Sequence, residues 1–297
     1  MKLLPTLKRP ARTATVALAS AAATAALTLP GLALAHGGHG GRVPPPPASP
    51  TSDSQFQNLD QVKTAIKAYY GDTITNTPDP VNAATMLHQM SPTGAYAQQT
   101  EGIAARAEDF LAHKAHHFSR GHGRGHRHPG RPAILFDVDD TTLNTFSYEI
   151  YSSFVYSPAT NAAFVNAGSK DVFPAVPGMT DLESKAIADG YQVFFLTGRS
   201  KTATPDQTPG TIANLEDAGY TVDPTHVYLK DASGATEPWL SSCAPTCTTT
   251  QYKSLTRKHI ESLGFDIVAN FGDQFSDLNG GFADRTFKMP NPMYFLP

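Results

Sequence analysis

Ala133-Ile134-Leu135-Phe136-Asp137-Val138-Asp139-Asp140-Thr141 is an apolar run that stops in acids and a hydroxyl. Four apolar residues bounded by polar ones predict a short buried strand. The same design recurs downstream. Residues 193–196 run into Thr197-Gly198-Arg199, residues 226–229 into Lys230, and residues 267–271 into Gly272-Asp273. Helices are predicted between them over 181–189, closed by Gly190, over 211–218, and over 252–263, closed by Gly264. Short apolar strands alternating with helices predict an α/β fold, a Rossmann-like parallel sheet with helices on both faces.

In such sheets ligands bind beyond the carboxyl ends of the strands. Those ends carry Asp137, Asp139, Thr141, Thr197, Asp273 and Asp277, and Lys253 opens the helix before the fourth strand. One acid at a strand end can simply cap the next helix, the plain reading of Asp139 or Asp140. Six groups spread over three strand ends predict a site.

These residues resemble a known superfamily. Phe136-Asp137-Val138-Asp139-Asp140-Thr141 is similar to the first haloacid dehalogenase motif, and Phe195-Leu196-Thr197-Gly198-Arg199 to the second. Tyr252-Lys253-Ser254 is similar to the third, and Gly272-Asp273-Gln274-Phe275-Ser276-Asp277 to the fourth. Residues 272–278 and the ending Lys288-Met289-Pro290-Asn291-Pro292-Met293-Tyr294 resemble the class B acid phosphatases and plant vegetative storage proteins within it. The resemblance implies a magnesium-dependent phosphatase acting on a phosphorylated small molecule, with activity biased to acidic pH. Asp137 would attack phosphorus and form an aspartyl phosphate. Asp139 would protonate the leaving oxygen and later deprotonate the attacking water. Mg2+ would be held by Asp137, the Asp139 carbonyl and Asp273, with Asp277 holding a metal-bound water. Thr197, Gly198 and Lys253 would bind the phosphoryl oxygens.

Some positions stay open. Lys230 follows the third strand and competes with Lys253, which fits the group's pattern better. Arg199 either binds substrate or forms a salt bridge beside the site. Asp140, at the variable position of the first motif, is read as solvent-facing or capping. Thr142 stands where an apolar residue is more usual. Storage members of the group lack the nucleophile, and this chain retains Asp137. Two alternatives to hydrolysis remain: transfer of the phosphoryl group to an alcohol, and a non-enzymatic His-rich metal-binding or storage role.

Outward from the core, 144–178 is too short for a separate α/β cap and is read as a small helical cap. Its aromatics (Phe146, Tyr148, Tyr151, Phe154, Tyr156) are read as packing. The core is assigned to 132–297. Before it, 119–131 is read as a His/Arg/Gly-rich loop, in a stretch from His113 onward that could instead capture metal. Residues 55–118 are read as a helical segment, with periodic helices from Phe56 to Gly71 and over 95–116 and a short helix over 81–90. Residues 36–54 form a Gly/Pro/His-rich linker.

Residues 1–35 combine Lys2, Lys8, Arg9 and Arg12, an alanine- and leucine-rich stretch and Ala33-Leu34-Ala35, the pattern of a cleaved export signal. A secreted protein without a stable membrane anchor is therefore expected. Taking those four basic residues from 23 leaves 19 against 26 acids, a charge of -7, which offers nucleic acid no platform. The two cysteines, Cys243 and Cys247, are expected to bond to each other in an exported protein. A homo-oligomer is left open.

Overall fold

The computed structural model describes residues 49, 51–52, 55, 58–120, 130–167, 171–231 and 237–296. The export signal read at 1–35, most of the 36–54 linker and residues 121–129 of the His-rich stretch lie outside the described residues. Helix α1 spans Leu59–Tyr70, capped by Asn58 accepting from the Gln61 N–H (2.9 Å) and ended by left-handed Gly71. Strands β1 (Thr73–Pro78) and β2 (Met86–Gln89) then pair antiparallel. This corrects the short helix expected over 81–90. The β-branched run Thr73-Ile74-Thr75 favours a strand, and Asp79 stitches the turn by accepting from the Val81 and Asn82 N–H groups (2.9 and 2.6 Å). Helix α2 (Ala95–Arg120) follows and runs past the 95–116 expected, so 119 and 120 are helical rather than loop.

The rest is a wound sheet. In chain order it runs β3 (Arg131–Phe136), α3 (Phe146–Tyr151), α4 (Pro158–Val165), α5 (Met179–Ala188) and β4 (Gln192–Ser200). It continues with α6 (Thr208–Asp217), β5 (Val227–Lys230), α7 (Thr249–Ser262), β6 (Phe265–Gly272), α8 (Phe275–Leu278) and β7 (Arg285–Lys288). The strands pair in parallel in the order β5-β4-β3-β6-β7. The chain leaves β3 on one side to build β4 and β5, then crosses to the other for β6. The end of β3 is thus the switch point where a site forms. The fifth strand, β7, was not foreseen: it is an edge strand of which only Phe287 is buried.

Alternation along β3 splits the core. Ile134 and Phe136 join Phe195 and Phe271 on one face, covered by Ile103, Ala107 and Leu111 of α2 and Leu182 of α5. Ala133 and Leu135 join Phe194 and Ile267 on the other, covered by Tyr252 and Ile260 of α7. Cys243 and Cys247 are bonded to each other just before α7, beside this second cluster.

Candidate active site

The backbone sets the floor. The Asp137 N–H donates to the Phe271 carbonyl (3.0 Å), which ties the end of β3 to the end of β6. The Thr142 hydroxyl donates to the carbonyls of Asp137 (3.2 Å) and Val138 (3.0 Å), so this departure from an apolar residue closes the turn after β3. Gly272 ends β6 without a side chain, and a Cβ there would lie 2.5 Å from the Asp277 Cβ. Only glycine lets Asp277 fold back to the strand end.

Three carboxylates meet there. Asp137, Asp273 and Asp277 are buried, with oxygens that all lie within 4.8 Å of one another. Lys253 is also buried; its ammonium bonds Asp137 and the Leu196 carbonyl and lies 3.2 Å from Asp277. Asp273 accepts from the side-chain amides of Gln274 and Asn291 (2.7 Å each). Burial, with repulsion from Asp277, holds Asp137 well above the usual carboxylate range. Burial and the same neighbour push Asp273 up to about 7. Burial alone would lower Lys253, but Asp137 and Asp277 outweigh it and raise it. One ammonium does not balance three acids. A cluster of hard oxygen donors short of positive charge fits a divalent cation such as Mg2+ or Ca2+ rather than a soft metal.

Asp139 stands apart from this cluster. Arg199 Nη2 lies 2.7 Å from its Oδ1 and Nε 3.1 Å from each oxygen. Arg199 is in turn held by Thr211 (3.2 Å) and Asn214 (3.1 Å) of α6. The salt bridge, one of its two readings, is present, and Arg199 also lines the cavity. Thr197 is fully buried and its hydroxyl accepts from the Arg199 N–H (3.0 Å), whereas Gly198 lines the cavity above the floor. Lys230 lines that cavity too, without joining the carboxylates.

Asp140 is fully buried, so it does not face solvent. Its carboxyl accepts from the Thr145 N–H (3.1 Å) and hydroxyl (2.5 Å) and so pins the entry to α3. Burial pushes it up to about 8. Its left-handed φ of 57° is one that Asp tolerates better than most side chains.

The cavity holds about 630 Å³. The cap lines it with Tyr148, Glu149, Phe154, Tyr156 and Asn161, and Tyr294, Phe295 and Leu296 line it as well. Phe146 packs in the core, but Phe154 and Tyr156 line the cavity, a role that an aromatic count alone did not reveal. Sequence reasoning also missed Arg257. It is fully buried one turn after Lys253 and donates to the carbonyls of Asp277, Asn279 and Gly281, bracing the loop that carries the last two acids. Its only signal was the four-residue spacing from Lys253 on one helix.

A wound parallel sheet with this acidic floor at its switch point defines a haloacid dehalogenase-type protein. Residues 77–297 match the model of HAD superfamily, subfamily IIIB (acid phosphatase), and the chain belongs to that family. It is 33% identical to Acid phosphatase 1 of Solanum lycopersicum over 56% of this chain and 60% of that protein. It is 32% identical to the Stem 28 kDa glycoprotein of Glycine max (57% and 61% covered) and 31% identical to Vegetative storage protein 2 of Arabidopsis thaliana (55% and 56%). The match therefore spans about six-tenths of these relatives' length. The class C acid phosphatase of Bacillus anthracis is similar at a TM-score of 0.48 with 20% identity, over 67% of this chain and 80% of that one. Among the described residues no helix is long and apolar enough to cross a membrane.

Proposed function

We propose that this protein is an exported, magnesium-dependent acid phosphatase that hydrolyses phosphate monoesters through a phosphorylated Asp137. One observation carries the reading: three buried carboxylates and Lys253 converge at the base of an open cavity, with a fourth carboxyl, Asp139, oriented beside them by Arg199. Asp137 and Asp273 would hold the cation, and Asp277 one of its waters. Bound there, Mg2+ supplies positive charge against the phosphoryl oxygens.

Asp137 Oδ forms a bond to phosphorus as the bond to the ester oxygen breaks. Asp139 passes its proton to the departing oxygen, then takes one from the water that cleaves the aspartyl phosphate. Lys253 and the Gly198 backbone steady the phosphoryl group. Export is supported by the order of basic, apolar and small residues at the N-terminus, and the Cys243–Cys247 bond is compatible with an oxidising compartment.

The test is turnover of an aryl phosphate with Mg2+ and with chelator, together with acid-quench trapping of a labelled phosphoenzyme. Wild type should turn over only with the ion and carry the label on Asp137. Asp137→Asn should lose turnover by about a thousandfold or more. A labelled residue other than Asp137 refutes the mechanism.

A further inference from the structure

Nearly every charged group lining the cavity has a partner that accounts for it. Asp137 and Asp277 have Lys253, Asp139 has Arg199, and Asp273 has Gln274 and Asn291. Glu149 is the exception among the carboxylates. It sits on α3, is 93% buried by its 7% exposure, and lines the cavity with Asp139 nearby. Among the described residues its carboxyl makes no hydrogen bond and no ion pair. Its backbone is fully engaged: the N–H donates to Thr145 (3.1 Å), and the carbonyl accepts from Phe154 (2.8 Å) and the Ser152 hydroxyl (3.3 Å). The backbone that carries the side chain is therefore fixed, and the carboxyl lines the cavity.

A mostly buried carboxyl without a protein partner is costly, and at a cavity wall it stands where a bound molecule can complete it. The phosphoryl end lies at the floor, so what reaches the cap wall is the leaving alcohol. Tyr148, Phe154 and Tyr156 line the same cavity, and aromatic side chains together with a carboxyl suit an organic cation as well as a neutral donor.

We propose that Glu149 determines specificity by accepting a hydrogen bond from a donor on the leaving alcohol of the phosphate ester, a hydroxyl or an ammonium. The proposal rests on the phosphatase reading and names the substrate class of that same site.

Three esters of nearly equal size test it on the Mg2+-loaded full-length protein at about pH 8, where Glu149 is charged: propyl, hydroxyethyl and aminoethyl phosphate. Wild type should favour at least one of the two donor-bearing esters over the propyl ester by about tenfold in kcat/KM. Glu149→Leu should bring both ratios close to one. Glu149→Gln keeps an acceptor oxygen but no charge, so it should retain a hydroxyl preference and lose any extra ammonium preference. Each ratio is taken within one sample and is therefore independent of the fraction of a variant that folds. If the Leu variant has no turnover, Glu149→Ala is read in its place with the same expectation, and loss of the ammonium preference in the Gln variant supports the proposal. A wild-type preference for the propyl ester, or ratios unchanged by substitution, overturns it. Absence of turnover even with an aryl phosphate would sink the phosphatase reading itself, a different result from turnover that ignores Glu149.

Discussion

At the scale of single residues, the same Glu149 has a consequence for stability. Burial, with Asp139 nearby, pushes its carboxyl from the ordinary 4.5 up to about 7. Between those values the folded protein keeps a proton that the unfolded chain releases. Stability from this group therefore falls as pH rises through that window and is lowest above it. A displacement of that size corresponds to roughly 3 kcal/mol. Urea unfolding of the metal-free protein should show Glu149→Gln gaining on wild type more at about pH 8 than at about pH 5. An equal difference at both pH values would mean that Glu149 ionises in the fold as it does in water. Asp140 shows how burial revises a reading made from position alone. Its place in the first motif suggested a solvent-facing or capping group, and the capping part is what the Thr145 contacts display.

At the scale of elements, α7 organises the floor from one side. Thr248 caps it by accepting from the Gln251 N–H, and Gln251 returns the bond. Lys253 and Arg257 then lie one turn apart, the first on the carboxylates and the second on three loop carbonyls. Arg257→Met would leave those carbonyls without their donor. Stability should fall by on the order of 3 kcal/mol, and more Mg2+ should be needed to raise the melting temperature. Thermal melts across a Mg2+ titration measure both, and an unshifted Mg2+ dependence would show that the loop holds its acids without the clamp. Four of the five parallel strands were legible in the sequence because buried parallel strands are continuously apolar. Edge strand β7 and the polar β1–β2 hairpin were not, since each buries little. The acids of the floor were legible because strand ends locate them. Arg257, Asn291 and Glu149 were not, because their roles depend on what surrounds them in space.

At the scale of the whole chain, 58–120 is built into the core of the fold. Tyr70 of α1 stacks between Tyr96 and Phe146, with ring centroids 4.3 and 4.6 Å away. The Tyr191 hydroxyl donates to the Leu111 carbonyl (2.8 Å), and Lys185 pairs with Glu108 (2.6 Å). The family match begins at residue 77, yet Tyr70 before it is fully buried. A protein starting at Arg131 would expose the sheet face that α2 covers, a large apolar area. It should be recovered as aggregate or without a cooperative melt, whereas the chain from Ser52 should melt cooperatively. Size-exclusion chromatography and calorimetry of the two decide this, and a monomeric, cooperatively melting short form would make the preface dispensable.

The cavity is assembled so that its floor comes from strand ends and α7, while its walls come from the 145–161 insert and the last residues of the chain. On the proposed function, chemistry and choice of substrate would be written in different stretches of the gene. Cap or tail residues could then be exchanged for others that accept new alcohols while the aspartates stay in place. Loss of a floor acid would have the converse effect: it would remove the proposed turnover and leave the walls intact. Diversification on that plan would be modular, with single substitutions reshaping the pocket around one unchanging reactive centre.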